Sequence, residues 1–586
     1  MITRKKLSCY INEAKGLENL SLKHSIKIAI MSSFTLNGLE QVLRVKCKEN
    51  NINCQTYVSR YNQYFQEILN NKSEIYKFKP DLTYLILDTR TILGKLFFEP
   101  YSVDVKERKE IINDKIDEII NLINNYNENS DSKIILSNLS LSTYSPYGIF
   151  DNNVEFNIND IINEFNNKIK KEFLENSSVH IFDFDNFLRK YGENNVFDYK
   201  QYYFGDVKIS LDFIPLIAEE FMSYVKPFLG INKKCIVLDL DNTLWGGILG
   251  EDGIEGIKLG DDPVGKSYVE FQKRILALHK RGIILAVNSR NNYEDVKEVF
   301  QKHPNMILKE EDFANLKINW NDKASNIEEI AKEINIGLDS MIFFDDDPIN
   351  CELVKLKFPE INTINLPNDS STYAKILTEL NDFNIFKITN DDTNRGKMYL
   401  EQRKRTDFKH QVKDVSEFLK QLNICIEIRK PDKFTIPRIS QLTLKTNQFN
   451  LSTKRFQEHE IKDISKEDNK IVKCVQVTDK FGDNGITSAY IISKENQDEW
   501  VLDTFLLSCR VMGRGVEEGI LGYIINEARK EKIKKIKAKY VPTTKNKPIK
   551  GFLEKFGFKD EGGDWIYQVN ENNKIPEHIE ITIENE

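Results

Sequence analysis

Cys235-Ile-Val-Leu-Asp239-Leu-Asp241-Asn-Thr243-Leu-Trp-Gly-Gly247 runs as a strand into two carboxylates two residues apart, then breaks into a polar turn with a glycine pair. A short apolar run bounded by turn residues reads as a strand buried in a sheet. Alternation along it puts Asp239 and Asp241 on one side, and the open coil beyond frees backbone groups to cradle a phosphate. Such a pair alone is a weak signal, because surface loops collect acids for solubility. It gains weight from three more polar clusters, spaced along residues 231–366.

There the strand Ile236–Leu240 is followed by a helix over Val264–Lys280, a strand Ile283–Val287 ending in Asn288-Ser289-Arg290-Asn291, and a helix near Glu294–Gln301. A polar segment holding Asn321-Asp-Lys323 opens another helix, and the strand Met341–Phe344 ends in Asp345-Asp346-Asp347-Pro348. Strand and helix alternate as in a doubly wound parallel sheet, which gathers the four polar clusters on one rim. Asp239, Asp241, Asp345 and Asp346 supply hard oxygen ligands that suit Mg²⁺. Ser289 donates to a phosphoryl oxygen, and Lys323 neutralises charge that builds up in the transition state. Asp239 is then the nucleophile toward phosphorus, giving an aspartyl-phosphate, and Asp241 the group that protonates the leaving oxygen and activates water.

Residues 26–228 show the same alternation, with strands at Ile26–Met31, Cys54–Val58, Leu82–Leu87, Lys133–Ser137 and Val179–Phe184 and helices such as Leu36–Lys48 and Val105–Asn125. Ser33, just past the first strand, is a nucleophile, an anion ligand or a helix cap. At 586 residues the chain is long enough for three or four domains. Forty per cent hydrophobic and thirty per cent charged residues are ordinary for globular protein, and a net charge of −7 gives no general attraction to nucleic acid. No apolar run approaches a membrane span and the start lacks a signal-peptide core, which reads as cytoplasmic. Eight scattered cysteines without a C-x-x-C pair, and seven histidines, indicate neither a disulfide framework nor a structural zinc.

After a charged helical connector over 373–422, strands at Cys425–Ile428, Ile471–Val477, Ile486–Ile492 and Trp500–Leu507 lead into Arg510-Val-Met-Gly513-Arg514-Gly515 and a helix over Val516–Ala528. A strand that opens into R-x-x-G-x-G before a helix holds a pyrophosphate on backbone N–H groups; the alternative is a tight turn with no ligand. Cys509 adjoins this loop, and Arg510 and Arg514 would lower its thiol pKa. Cys235 points into the core. Arg529–Lys539 carries seven basic residues and one acid, a docking face for an acidic partner or simply a solvated surface.

The motifs around Asp239-Leu-Asp241, Ser289, Asn319-Trp-Asn-Asp-Lys323 and Phe344-Asp-Asp346-Asp-Pro resemble those of the haloacid-dehalogenase (HAD) phosphatase superfamily, most closely its FkbH-like subgroup. The resemblance continues through Lys445-Thr-Asn-Gln-Phe-Asn450 and Ser508-Cys-Arg-Val-Met-Gly-Arg-Gly515. Arg290 and Asn350 depart from it, standing where Lys and Glu are expected. Residues 1–229 resemble a degenerate SGNH-hydrolase-like domain with Ser33 at the nucleophile position and no Asp-x-x-His. Residues 423–570, with Tyr540–Asn546 and Phe552–Phe558, resemble the acyl-CoA-binding fold of GNAT acyltransferases. The expected layout is two doubly wound Rossmann-like α/β domains, 1–229 and 230–372, the connector, a mixed α+β GNAT-like domain, and an acidic tail, 571–586. The resemblance implies loading of a phosphoglyceryl unit from 1,3-bisphosphoglycerate onto an acyl-carrier protein, followed by dephosphorylation. Cys509 would carry a transient thioester, and Arg510, Gly513, Arg514 and Gly515 would hold the phosphopantetheine arm. Rival readings are an acyl-CoA-dependent transferase with an accessory phosphatase domain and a non-catalytic carrier-docking scaffold.

Overall fold

Nearly continuous Val/Ile/Leu-rich strands can only be buried on both faces, and five of them build the first sheet. They are β1 (His24–Ser32), β2 (Ile52–Val58), β3 (Leu82–Ile86), β4 (Lys133–Ser137) and β5 (Val179–Phe182), all parallel in the order β2-β1-β3-β4-β5. Helices such as Val105–Asn129, capped by Asp104, and Ile158–Glu172, held by an Asn157/Asp160 capping box, turn their apolar faces onto it. The structure, a computed structural model, describes residues 5–17, 22–411, 414–543, 546–569 and 575–584. Glu571 and Glu586 of the expected tail, and Thr544 and Lys545, lie outside them. The chain divides into two compact units, 1–225 and 226–586.

The second unit holds two sheets. Its first contains β6 (Cys235–Leu238), β7 (Ile284–Ser289), β8 (Phe313–Ile318), β9 (Met341–Asp345) and β10 (Asn362–Asn365), all parallel in the order β10-β9-β6-β7-β8. The opening motif is the central strand. Edge strands β8 and β10 escape a reading by apolar runs because half of β8 is partly exposed, with Lys317 paired to Glu329 and Glu333, and β10 begins and ends in Asn.

The second sheet of this unit is mixed: β11 (Ile424–Arg429), β12 (Lys470–Asp479), β13 (Gly482–Lys494), β14 (Glu499–Leu507), β15 (Lys535–Ala538), β16 (Lys559–Glu561), β17 (Asp564–Gln568) and β18 (Ile579–Ile583), in the order β16-β17-β15-β14-β13-β12-β11-β18. Only β14/β15 and β11/β18 pair parallel. β18 corrects the acidic-tail reading, since Ile579, Ile581 and Ile583 alternate with Glu580 and Thr582 and add a strand to β11. The connector is also more than a link. Its helix Arg395–Gln411 lies against β7, β8 and β13, burying Tyr399 in the core under the parallel sheet and fixing Arg405 to Asp479 through two 2.8 Å hydrogen bonds. Among the described residues no helix is long and apolar enough to cross a membrane.

Candidate active site

β6 stops at Leu238, so the two acids are placed by the turn beyond it, with Asn242 at φ 52°, and not by strand alternation. The Asp239 N–H donates to Phe344 O at 3.0 Å, which ties the first acid to the end of β9. Lys323 opens the helix Lys323–Glu333, capped by Asp322, and its Nζ lies 2.6 Å from Asp239 Oδ2 and 2.5 Å from Asp345 Oδ2. Asparagines hold it from its backbone side: Asn288 Nδ2 donates to Lys323 O at 2.8 Å, and Asn326 Nδ2 donates to Asn288 and Asn319 at 3.0 Å each. Burial pulls the Lys323 pKa down, but the two carboxylates outweigh it and leave the ammonium above its ordinary value.

Asp239, Asp345 and Asp346 each present an oxygen within 4.8 Å of the others. Burial, then the Asp239 charge, pushes Asp345 up to about 6 and raises Asp346 as well. One lysine thus faces three acids, and Asp239 Oδ1 is buried without a hydrogen-bond partner. A buried, unpaired carboxylate oxygen among excess negative charge fits a hard divalent cation such as Mg²⁺. Asn350, at one of the two departures from the HAD pattern, donates to Asp345 Oδ1 at 3.4 Å, while Arg290 is exposed.

Asp241, expected as a fourth ligand, stands outside this group. Its Oδ1 accepts from Trp245 Nε1 at 2.9 Å and Leu249 N at 3.1 Å, and its Oδ2 from Asn291 Nδ2 at 2.9 Å. Burial raises its pKa against those hydrogen bonds, as suits a group that must hold and release a proton. Asn291 also donates to Ser289 Oγ at 3.2 Å, so it links Asp241 to the buried serine at the end of β7. Sequence reasoning missed this role of Asn291; its place two residues past Ser289 was the available signal.

Cys509 lies elsewhere, beside the opposite ends of the same strands. It lines a cavity with Lys234, which precedes β6, Ile284, which begins β7, and Asp339 and Ser340, which precede β9. Its thiol donates to Asn335 O at 3.0 Å. Burial raises the thiol pKa although Lys234 and Arg510 pull it down, which corrects the expected activation. Cys235 is fully buried in the core and its thiol is likewise raised by burial.

Several groups of the glycine loop are engaged by the protein itself. Gly513 N–H donates to Glu517 Oε1 at 3.0 Å, Arg514 reaches Asp479, Gln402 and Arg510 O, and His578 Nε2 lies 2.9 Å from Arg514 O. Gly515, at φ 84°, has no room for a Cβ against His578. Arg510 turns to Asp391 and to the Cys509 cavity. Gly513 and Arg514 are thus tied into the turn's own hydrogen bonds, whereas Arg510 Nη2 is buried without a hydrogen-bond partner. The basic run is paired too: Lys534, Lys535, Lys537 and Lys539 meet Asp498, Glu499, Asp564 and Asp503.

In the first unit Ser33 Oγ accepts from Asp88 N at 2.8 Å, and Asp88 forms a buried ion pair with Lys208. Neither histidine of this unit stands at the serine, for His24 begins β1 at the far end of that strand and His180 lies within β5.

Residues 27–226 match the family model described as FkbH, N-terminal domain. Among solved structures, the chain is similar to the N-terminal part of the protein BF1531 from Bacteroides fragilis, described as containing a phosphatase domain and complexed with Mg. The two are 29% identical with a TM-score of 0.60, over 66% of this chain and 100% of that one. About a quarter of the chain, 25%, also matches the ribosomal-protein-S18-alanine N-acetyltransferase from Escherichia coli (12% identity, TM-score 0.20, 95% of that chain). No curated protein matches this chain.

Proposed function

We propose that the chain is a Mg²⁺-dependent HAD-type phosphatase that also carries an acyl-transfer centre. It would load a phosphoglyceryl unit from 1,3-bisphosphoglycerate onto the phosphopantetheine arm of an acyl-carrier protein and remove the remaining phosphate. The observation that carries the phosphatase reading is the cluster of Asp239, Asp345 and Asp346 around Lys323, with its orphaned Asp239 oxygen. The Mg-bound phosphatase-domain relative supports it. When bound, Mg²⁺ on those three acids would polarise the phosphoryl oxygens.

Asp239 attacks phosphorus, the bond from phosphorus to the substrate oxygen breaks, and Asp241 protonates that oxygen. Asp241 then takes a proton from water as it attacks the aspartyl-phosphate, which releases phosphate and restores Asp239. Asn291 holds Asp241 and Ser289 in register, and Lys323 compensates charge on Asp239 and Asp345 throughout. Acyl transfer belongs to Cys509. The Cys509 thiol gives up its proton as its sulfur attacks the acyl carbon, the carbon–oxygen bond to phosphate breaks, and phosphate departs with that proton. The arm's thiol then displaces Cys509, which regains a proton. Ile248, Trp320 and Ile349 are exposed, each within seven residues in sequence of a site group, and would be available to a protein-bound substrate. The first unit, lacking a histidine at Ser33, would bind or position and not hydrolyse.

The test is incubation with Mg²⁺, freshly generated 1,3-bisphosphoglycerate and a phosphopantetheinylated carrier protein, read by intact mass. A glyceryl-loaded carrier with released phosphate is expected. Phosphate release from small esters with no mass gained by either protein would leave the phosphatase and remove the loading.

A further inference from the structure

Five cations converge on the Cys509 cavity: Lys234, Arg395, Arg438, Lys445 and Arg510. Three are paired with two carboxylates, Arg395 with Asp392, and Arg438 at 2.9 Å and Arg510 at 3.7 Å with the shared Asp391. The other two are not. Among the described residues neither the Lys234 nor the Lys445 ammonium has a hydrogen bond or an ion pair. The acid on the wall is Asp339, and Thr446, Asn447 and Ser508 add neutral donors. Unbalanced ammonium groups in a cavity are costly unless an anion joins them. Burial drives the Lys234 pKa down to about 8 and that of Lys445 well below its ordinary value, with neighbouring cations adding to both.

The open space is about 140 Å³. Liquid water occupies about 30 Å³ per molecule, so this is room for several waters or a small phosphorylated acid. The loop Lys445–Gln448 and the turn Ser508–Arg510, far apart in sequence, meet on its wall with the thiol.

We infer that this cavity is a binding site for a small phosphate monoester anion, with Lys234 and Lys445 taking the phosphate and Cys509 facing the rest of the molecule. It rests on the reading of Cys509 as the acyl acceptor and assigns that centre the residues that hold its substrate's phosphate. The phosphate held here is the one not lost in acyl transfer, and its site is separate from the acidic cluster around Lys323.

The test is alkylation of Cys509 by iodoacetamide in the full chain with EDTA present, followed by peptide mass analysis. Probes are 3-phosphoglycerate, glycerate and 4′-phosphopantetheine. We expect 3-phosphoglycerate to slow alkylation at least tenfold and saturably, glycerate to have little effect, and K234M and K445M, each checked for folding by circular dichroism, to lose the protection. Equal protection in both variants, no protection in the unaltered chain, or protection by 4′-phosphopantetheine alone would overturn the assignment. Protection by 3-phosphoglycerate in a protein that never becomes acylated by 1,3-bisphosphoglycerate would uphold this site and remove the loading reaction.

Discussion

The two ends of the central parallel sheet are opposites. At the C-terminal ends of β6 and β9, three carboxylates crowd one lysine; at the N-terminal ends of β9, β6 and β7, five cations crowd one thiol. From Lys234 to Asp239 the chain advances five residues, about 16 Å at strand rise. Excess negative charge at one end calls for a divalent cation, and excess positive charge at the other for an anion. A phosphorylated substrate presents the same chemistry to both. One end can break its phosphorus–oxygen bond through metal and nucleophile, whereas the other can hold the phosphate intact beside a sulfur.

The variant that strains this contrast hardest is D239N. It should cut phosphate release from a generic phosphomonoester by about 10³-fold or more, while 3-phosphoglycerate still protects Cys509 from alkylation; loss of both together would tie the ends into one site. Next, removal of Mg²⁺ by EDTA should stop phosphate release and leave that protection unchanged. If phosphate release continued without a divalent cation, the acidic cluster would need another account.

K323M leaves Asp239 and Asp345 buried without their counter-ion, so unfolding by urea in EDTA should show a loss of about 3–5 kcal/mol. A loss below about 1 kcal/mol would mean the lysine is dispensable to the cluster. The smallest effect is pH-dependent. Lys234, faced by Cys509, Arg395, Asp339 and Arg438, has its pKa held down to about 8 by burial. It is charged below that pH and neutral above, so 3-phosphoglycerate protection of Cys509 should weaken as pH rises through about 8.

The sheet of the phosphatase-like region was legible from sequence because its central strands are unbroken apolar runs, each ending in a polar cluster. Lys323, Asp345 and Asp239 could be placed on one rim from order alone. The turn at Asn242 could not, so Asp241 was read as a metal ligand when Trp245, Leu249 and Asn291 hold it. Edge strands β8 and β10 and the terminal β18 were hidden by their polar residues. In the R-x-x-G-x-G turn the local pattern marks a helix N-terminus, but not that Glu517 takes the Gly513 N–H and His578 meets Arg514 O. The cationic cavity was out of reach, since Lys234, Arg395, Lys445 and Cys509 meet only through tertiary packing.

The most direct measurement compares intact masses of D239N and C509A after exposure to 1,3-bisphosphoglycerate and Mg²⁺ without a carrier protein. D239N should gain a phosphoglyceryl mass, mapped to the Cys509 peptide, and C509A should gain none while still hydrolysing a generic phosphomonoester. A phosphoglyceryl mass on C509A, or undiminished phosphomonoester hydrolysis by D239N, would contradict the division of labour between the two ends of the sheet.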